Sequence, residues 1–195
     1  DQLAVGNIGE QGLGARHGIA GIMKEDFIDL TTQSVEQLEL VATTPAAALG
    51  SVRLKPGKAE CEKVFEVFRK NDVRYFFYIG GNDSADTCLK VAQIARKLGY
   101  PLTAVHVPKT VDNDLPITDN CPGFGSVAKY IAVSTLEATF DVRSMCATST
   151  KVFVLEVMGR HAGWIAAAGA MASTKDCELP IVVLFPEVLF DQKKF

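Results

Sequence analysis

Apolar and polar positions along this chain fall into blocks, and from residue 60 onward the blocks switch regularly between a helical and a strand period. Glu60–Lys70 carries Val64, Phe65, Val67 and Phe68 at helical spacing. Arg74–Ile79 is a short aromatic and apolar run closed by Gly80-Gly81, the pattern of a strand. Ser84–Leu98 predicts a helix that stops at Gly99 and Pro101. Leu102–Val107 predicts the next strand, and a long polar loop runs from it to Gly125. Ser126–Cys146 returns to helical periodicity, with Val127, Tyr130, Ile131 and Leu136 offered to one apolar face. Val152–Val157 predicts a strand, Gly163–Ala172 a helix of small residues, and Ile181–Phe185 a last strand before Pro186. Residues 1–59 are less regular, with a helix or strand near Gly18–Phe27 and a helix near Val35–Leu40.

Short apolar strands separated by helices predict an α/β fold, a three-layer arrangement around a mostly parallel, Rossmann-like sheet. One α/β region is expected over residues 1–195, with 60–186 its clearest repeating part. Right-handed crossovers would bring the loops after residues 79, 107 and 157 to one edge, where open α/β sheets bind ligands.

Composition narrows the function classes. The chain has 195 residues, 48% of them hydrophobic, and a net charge of -3. That balance gives no basic surface for nucleic acid, and no apolar run is long enough to span a bilayer. The five cysteines, Cys61, Cys88, Cys121, Cys146 and Cys177, are scattered without a C-x-x-C pair. This fits a reduced, cytoplasmic setting better than a disulfide framework or a zinc site.

The chemistry concentrates in two loops. Pro108-Lys109-Thr110-Val111-Asp112-Asn113-Asp114 follows a predicted strand and packs a lysine, a threonine and two carboxylates into seven residues. Such a loop can hold a metal-bound phosphoryl group while one carboxylate takes a proton from an attacking hydroxyl. A solvated turn is an equal reading of these residues taken alone. Gly80-Gly81-Asn82-Asp83-Ser84 joins a strand to a helix, where free N–H groups favour anions. Its plain alternative is a strand–helix turn with Asp83 or Ser84 as the N-cap.

Four blocks in order change that balance. Leu49-Gly50-Ser51-Val52-Arg53, Gly80–Ser84, Pro108–Asp114 and Met158-Gly159-Arg160-His161-Ala162-Gly163-Trp164 together make most of residues 44–186 resemble the phosphofructokinases. The resemblance implies a phosphofructokinase-like fold. It also implies a longer protein, because the family's N-terminal Gly-rich phosphate loop and its C-terminal part are not found here. The chain is thus expected to hold one lobe with part of the second missing or truncated.

The same resemblance assigns roles. ATP users resemble G-G-D-G-S/T at the first loop, whereas pyrophosphate users carry an aspartate at the fourth position, as Asp83 does. That carboxylate would occupy and repel the site of the ATP α-phosphate. Lys109, just before the Thr-x-Asp-x-Asp core, matches the pyrophosphate users and would stabilise the transferring phosphoryl group. Asp112 is implied as the base that deprotonates the sugar 1-hydroxyl. Thr110 and Val111 would contact substrate, with Thr110 donating to a phosphate oxygen. Met158 and Gly159 would touch the sugar phosphate, and Arg160 would face the reacting phosphoryl as a bidentate donor. Lys151 falls where relatives place a basic residue that reaches a neighbouring subunit's 6-phosphate. Gly80, Gly81, Ser84 and Arg53 would line the donor side.

Magnesium is the implied cofactor, with Asp114 positioning the ion or its waters. Asn82 stands where the family usually has a metal-contacting aspartate, and its amide oxygen would ligate without charge. His161 and Trp164 are expected to be packed rather than catalytic.

The leading reading is an enzyme: reversible, magnesium-dependent phosphoryl transfer from pyrophosphate to the 1-hydroxyl of fructose 6-phosphate, in a cytoplasmic homodimer or homotetramer. An ATP-dependent phosphofructokinase is the nearest alternative. A non-catalytic sugar-phosphate-binding module is the alternative of another class.

Overall fold

The computed structural model of the chain describes residues 2–7, 11–114, 117–193 and 195, and divides it into two compact units, residues 1–109 and 110–195. Residues 115–116 of the long polar loop lie outside the described residues.

The first unit is built on a five-stranded sheet. Its elements in chain order are β1 (Gln2–Asn7), β2 (Gln11–Ala15), α1 (Ile19–Lys24), β3 (Phe27–Asp29), α2 (Val35–Thr43), α3 (Lys58–Lys70), β4 (Tyr75–Gly80), α4 (Asn82–Lys97) and β5 (Thr103–Pro108). The strand order is β3-β2-β1-β4-β5. β4 and β5 run parallel, Tyr75 opposite Thr103 through Gly80 opposite Pro108. The expected mostly parallel sheet is corrected here, because the ladders β1–β2, β1–β4 and β2–β3 are antiparallel. The reason is local. β1 and β2 pair antiparallel as the two arms of a hairpin, and β1 then lies against β4. Glycine-rich strands carry weak strand propensity, so this hairpin left little trace in the apolar pattern.

Helical spacing on α3 turns Cys61, Val64, Phe65 and Phe68 inward. The Glu60 carboxylate reaches back to accept the Gly57 N–H at 3.0 Å, which satisfies one of the donors orphaned at the helix start. Phe65, Phe68, Phe76 and Tyr78 interlock at 5.4–5.7 Å between ring centroids, with Val64, Val73 and Val91 around them. The Tyr100 hydroxyl donates to the Val73 carbonyl at 2.6 Å and tethers the exit of α4 to the entrance of β4.

In the second unit, α5 (Phe124–Met145) packs against α6 (Trp164–Gly169) and the 3-10 turn Ala170–Ala172 that extends it. Gly169 of α6 faces Thr135 and Ile131 of α5 at ordinary contact distance. The buried face of α5 is Ala128 and Ile131, whereas Tyr130, expected on that face, is exposed.

Two strand expectations are corrected in this unit. Residues 152–157 and 181–185 take no ladder partner among the described residues. Their composition is right for strands, but a strand exists only where its N–H and C=O groups meet a neighbour. His161 and Trp164 are exposed rather than packed. No helix among the described residues is long and apolar enough to cross a membrane.

Candidate functional site

The residues expected on the donor side, Arg53, Gly80, Gly81, Asp83, Ser84 and Lys109, all belong to the first unit. The register that sets Gly80 opposite Pro108 brings the loop after β4 beside the loop after β5. Two bonds fix that edge on a single acceptor. The Gly80 carbonyl takes the Lys109 N–H at 2.9 Å and the His106 Nε2 at 2.9 Å. A carbonyl only accepts, so His106 carries its proton on Nε2. Gly81 then passes beneath the Lys109 carbonyl, which a Cβ at Gly81 would meet at 3.5 Å.

Asn82 and Asp83 open α4, whose N-cap is Gly81 rather than Asp83 or Ser84. The Asp83 carboxylate sits in the first turn, where the helix dipole favours an anion. Its Oδ1 lies 2.9 Å from Lys55 Nζ. Ser84 is 1% exposed, with its hydroxyl turned inward beside the Tyr78 phenol. Burial pushes the Tyr78 phenol above its ordinary value, and the Ser84 hydroxyl opposes that rise.

Lys55 reaches this edge from a segment that leaves a pinned turn, with Arg53 two residues before it. Gly50 has φ 71°, and a Cβ there would meet His17 Nδ1 at 2.5 Å, so the position requires glycine. The Leu49 carbonyl accepts the His17 N–H at 2.7 Å. Beyond this turn burial alternates: Val52, Leu54 and Pro56 are half-buried, while Ser51, Arg53 and Lys55 are exposed. Leu54 packs against the core, and period-two geometry then places Arg53 and Lys55 on the opposite side.

The remaining site residues belong to the second unit, whose boundary falls between Lys109 and Thr110. Asp112 donates its backbone N–H to Thr110 Oγ1 at 3.3 Å. The Asp112 side chain has one oxygen, Oδ1, that is buried and meets no hydrogen-bond donor of the protein. A buried acceptor without a donor marks a place where a ligand proton or an ion would be satisfied. Asn113 adopts a left-handed φ of 46°, which turns the loop sharply between the two aspartates.

Gly159 has φ 123°, and a Cβ there would strike the Ala162 carbonyl at 2.4 Å, so only glycine fits between Met158 and Arg160. Met158 and Arg160 are exposed, as is Lys151. Behind them Glu187 Oε1 accepts the Gly163 N–H at 2.8 Å and holds the start of α6. Phe185 and Pro186 lie so close to Gly163 that a side chain there would collide with them.

Among the described residues no group of three or more His, Cys, Asp or Glu side chains is arranged to hold a metal. Magnesium does not require one. It is commonly held by one or two carboxylates, its own waters and substrate phosphates, and the Asp112, Asp114 and Asn82 oxygens are donors of that hard kind. Sequence reasoning missed Lys55, His17 and His106. Lys55 was signalled only by lying two residues beyond Arg53; the histidines carried no signal, since their partners are backbone carbonyls remote in sequence.

A sequence model of the family Phosphofructokinase matches residues 6–195. The chain is 63% identical over 185 residues to pyrophosphate–fructose 6-phosphate 1-phosphotransferase of Methylococcus capsulatus, covering 92% of this chain and 44% of that protein. The same identity, 63% over 181 residues, holds for the enzyme of that name from Halomonas elongata, with 90% and 43% covered. The crystal structure of pyrophosphate-dependent phosphofructokinase from Nitrosospira multiformis superposes with a TM-score of 0.85 at 64% identity, covering 92% of this chain and 45% of that one. The chain therefore spans less than half the length of these relatives.

Proposed function

The chain belongs to the phosphofructokinase family, and from that premise we propose that the intact protein transfers a phosphoryl group reversibly from pyrophosphate to the 1-hydroxyl of fructose 6-phosphate. The observation that carries this reading is the pair of charged residues at one sheet edge. Asp83 lies in the first turn of α4, and Lys109 begins the loop after β5 with its N–H on the carbonyl of Gly80. The names of the relatives support it.

In this reading the roles divide as follows. Asp83 fills the volume that an ATP α-phosphate needs, so a nucleotide donor is excluded and the smaller pyrophosphate is admitted. Gly80, Gly81 and Arg53 line the donor loop, whereas Ser84, expected with them, is buried behind it with its hydroxyl turned toward Tyr78. Lys109 places its ammonium where charge grows on the transferring group. Asp112 accepts the proton of the sugar 1-hydroxyl as that oxygen attacks phosphorus, and its donorless Oδ1 suits that task. Thr110, Val111, Met158, Gly159 and Arg160 orient the sugar phosphate, and Lys151 serves the 6-phosphate of a neighbouring subunit in a homodimer or homotetramer. Magnesium, when bound, neutralises phosphate charge; Asp114 would hold it or its waters, and Asn82 would contribute an uncharged oxygen. The reaction belongs to glycolysis and gluconeogenesis in the cytoplasm.

The test is kcat/KM with pyrophosphate and with ATP for the intact protein, unsubstituted and as Asp83→Gly and Lys109→Met. The expected pattern is pyrophosphate use by the unsubstituted protein, ATP use gained in Asp83→Gly, and severe loss of pyrophosphate turnover in Lys109→Met. Efficient ATP use by the unsubstituted protein overturns the donor assignment and leaves an ATP-dependent phosphofructokinase.

A further inference from the structure

We propose that Lys55 is a donor-binding residue whose ammonium, held by the Asp83 carboxylate, receives the pyrophosphate oxygens. This inference rests on the reading in which Asp83 and Lys109 select the donor. The observation is the 2.9 Å ion pair between Lys55 Nζ and Asp83 Oδ1, two side chains that remain 77% and 71% exposed. An ion pair so exposed contributes little to stability, because water screens it and both side chains lose freedom in forming it. Its effect is therefore on position and charge at the loop, both open to a ligand.

Three further features point the same way. Leu54, packed on the core between them, sends Arg53 and Lys55 to one side of their segment. The turn that launches the segment is fixed by Gly50 against His17, so Lys55 leaves a rigid base. The Lys109 loop is bound to the Gly80 carbonyl, one residue before the N-cap of the helix that carries Asp83. The donor loop thus meets the Lys55 ammonium and is bound to the Lys109 backbone, with Asp83 inside a charge-balanced pair rather than as a bare carboxylate.

This pairing changes how exclusion of ATP works. A carboxylate already neutralised by an ammonium repels phosphate weakly, so Asp83 excludes the nucleotide mainly by its volume. Removing Asp83 leaves Lys55 unpaired beside the vacated space. The ATP use gained in Asp83→Gly then depends on Lys55, and the two positions couple in donor choice.

The experiment compares the intact protein with Lys55→Met, Lys55→Arg, Asp83→Gly and the double variant Lys55→Met/Asp83→Gly. Hydrogen bonds to charged groups have a size that predicts a rise of about 10- to 100-fold in the KM for pyrophosphate in Lys55→Met. The KM for fructose 6-phosphate should stay within about 3-fold, and Lys55→Arg, which keeps the charge, should recover part of the loss. Asp83→Gly should gain ATP turnover, and the double variant should lose about tenfold or more of that gain. An unchanged pyrophosphate KM in Lys55→Met overturns the role of Lys55, as does a parallel rise in both KM values or an absence of recovery in Lys55→Arg. Equal ATP gains in the single and double variants overturn the coupling. Failure of the underlying donor reading appears elsewhere: the unsubstituted protein would turn over ATP and not pyrophosphate, which removes both claims together.

Discussion

The two units bury different kinds of side chain. The first closes on Phe65, Phe68, Phe76 and Tyr78, each at most 1% exposed. The second closes on Ala128, Ile131, Ala162, Ile165, Ala168, Ala172 and Leu179, and leaves Val152, Phe153, Val154 and Leu155 outside at 73%, 54%, 83% and 39% exposure. Both stretches, Tyr75–Ile79 and Val152–Leu155, read as strands. The first is one because β1 and β5 flank it and helices cover it; the second has no ladder among the described residues. Periodicity states what a segment can do, and pairing decides whether it does it. The functional residues divide at the same boundary. The residues proposed for the donor side, Asp83 and Lys109, sit at the sheet edge of the first unit, and those proposed for the acceptor side, Thr110, Asp112 and Arg160, in the second.

The largest effect expected from that division is catalytic. In the intact protein Asp112→Asn should lower kcat by roughly 10²–10⁴-fold while the KM for the sugar phosphate changes little, because a general base acts on the barrier more than on binding. Near-normal kcat would break the assignment of the proton acceptor to the second unit. The next effect is on folding. Phe68→Ala should destabilise the chain by about 3–5 kcal/mol, whereas Leu155→Ala should fall within about 0.5 kcal/mol, both read from denaturant midpoints. Equal losses would mean that residues 152–157 are packed as firmly as β4, and the contrast would fail.

The sequence was most legible where local pattern and tertiary structure agree. The apolar face of α3, the strand β4 and the helix α4 were readable because each buries a face set by its own period, and β5 through its apolar run although it only half-buries Ala104 and His106, with boundaries off by one or two residues. The segments bearing Asp83, Lys109 and Asp112 stood out through their motifs. What could not be read depends on distant partners. The β1–β2 hairpin rests on pairing between strands rich in glycine, and the antiparallel ladders follow from it. Lys55 acquires meaning only beside Asp83, which lies 28 residues further along the sequence. Of Val127, Tyr130, Ile131 and Leu136, all expected on one apolar face of α5, Ile131 is buried as expected, Tyr130 is exposed, and Ala128 is buried beside Ile131.

A smaller effect separates two glycines that motif reading treats alike. Gly159 combines φ 123° with the Ala162 carbonyl 2.4 Å from a would-be Cβ, so Gly159→Ala should cost about 1–3 kcal/mol in strain. Gly81 has φ -81° and ordinary clearance, so Gly81→Ala should stay within about 0.5 kcal/mol. The paired measurement is the denaturant midpoint of each variant, with the KM for fructose 6-phosphate on the intact protein expected to rise for Gly159→Ala alone. Equal tolerance at both positions would remove the steric reason for glycine between Met158 and Arg160.

The smallest effect belongs to the aromatic core of the first unit and appears only at alkaline pH. Burial raises the Tyr78 phenol, with the Ser84 hydroxyl opposing and the Cys88 charge adding, and burial likewise raises the Tyr100 phenol and the Cys61 and Cys88 thiols. A group whose folded-state pKa is raised holds its proton longer when folded than when unfolded. Its contribution is therefore complete below the unfolded pKa, about 8.5 for thiols and about 10 for phenols, and declines as pH rises through the folded value. The urea midpoint should thus be level up to about pH 8 and fall by about pH 10.5. Tyr78→Phe removes one of these titrations, so its midpoint should fall less over the same interval even if its value at neutral pH is lower. A midpoint that rises with pH, or a Tyr78→Phe curve parallel to the unsubstituted one, would mean that the ring stack of β4 does not keep Tyr78 from ionising.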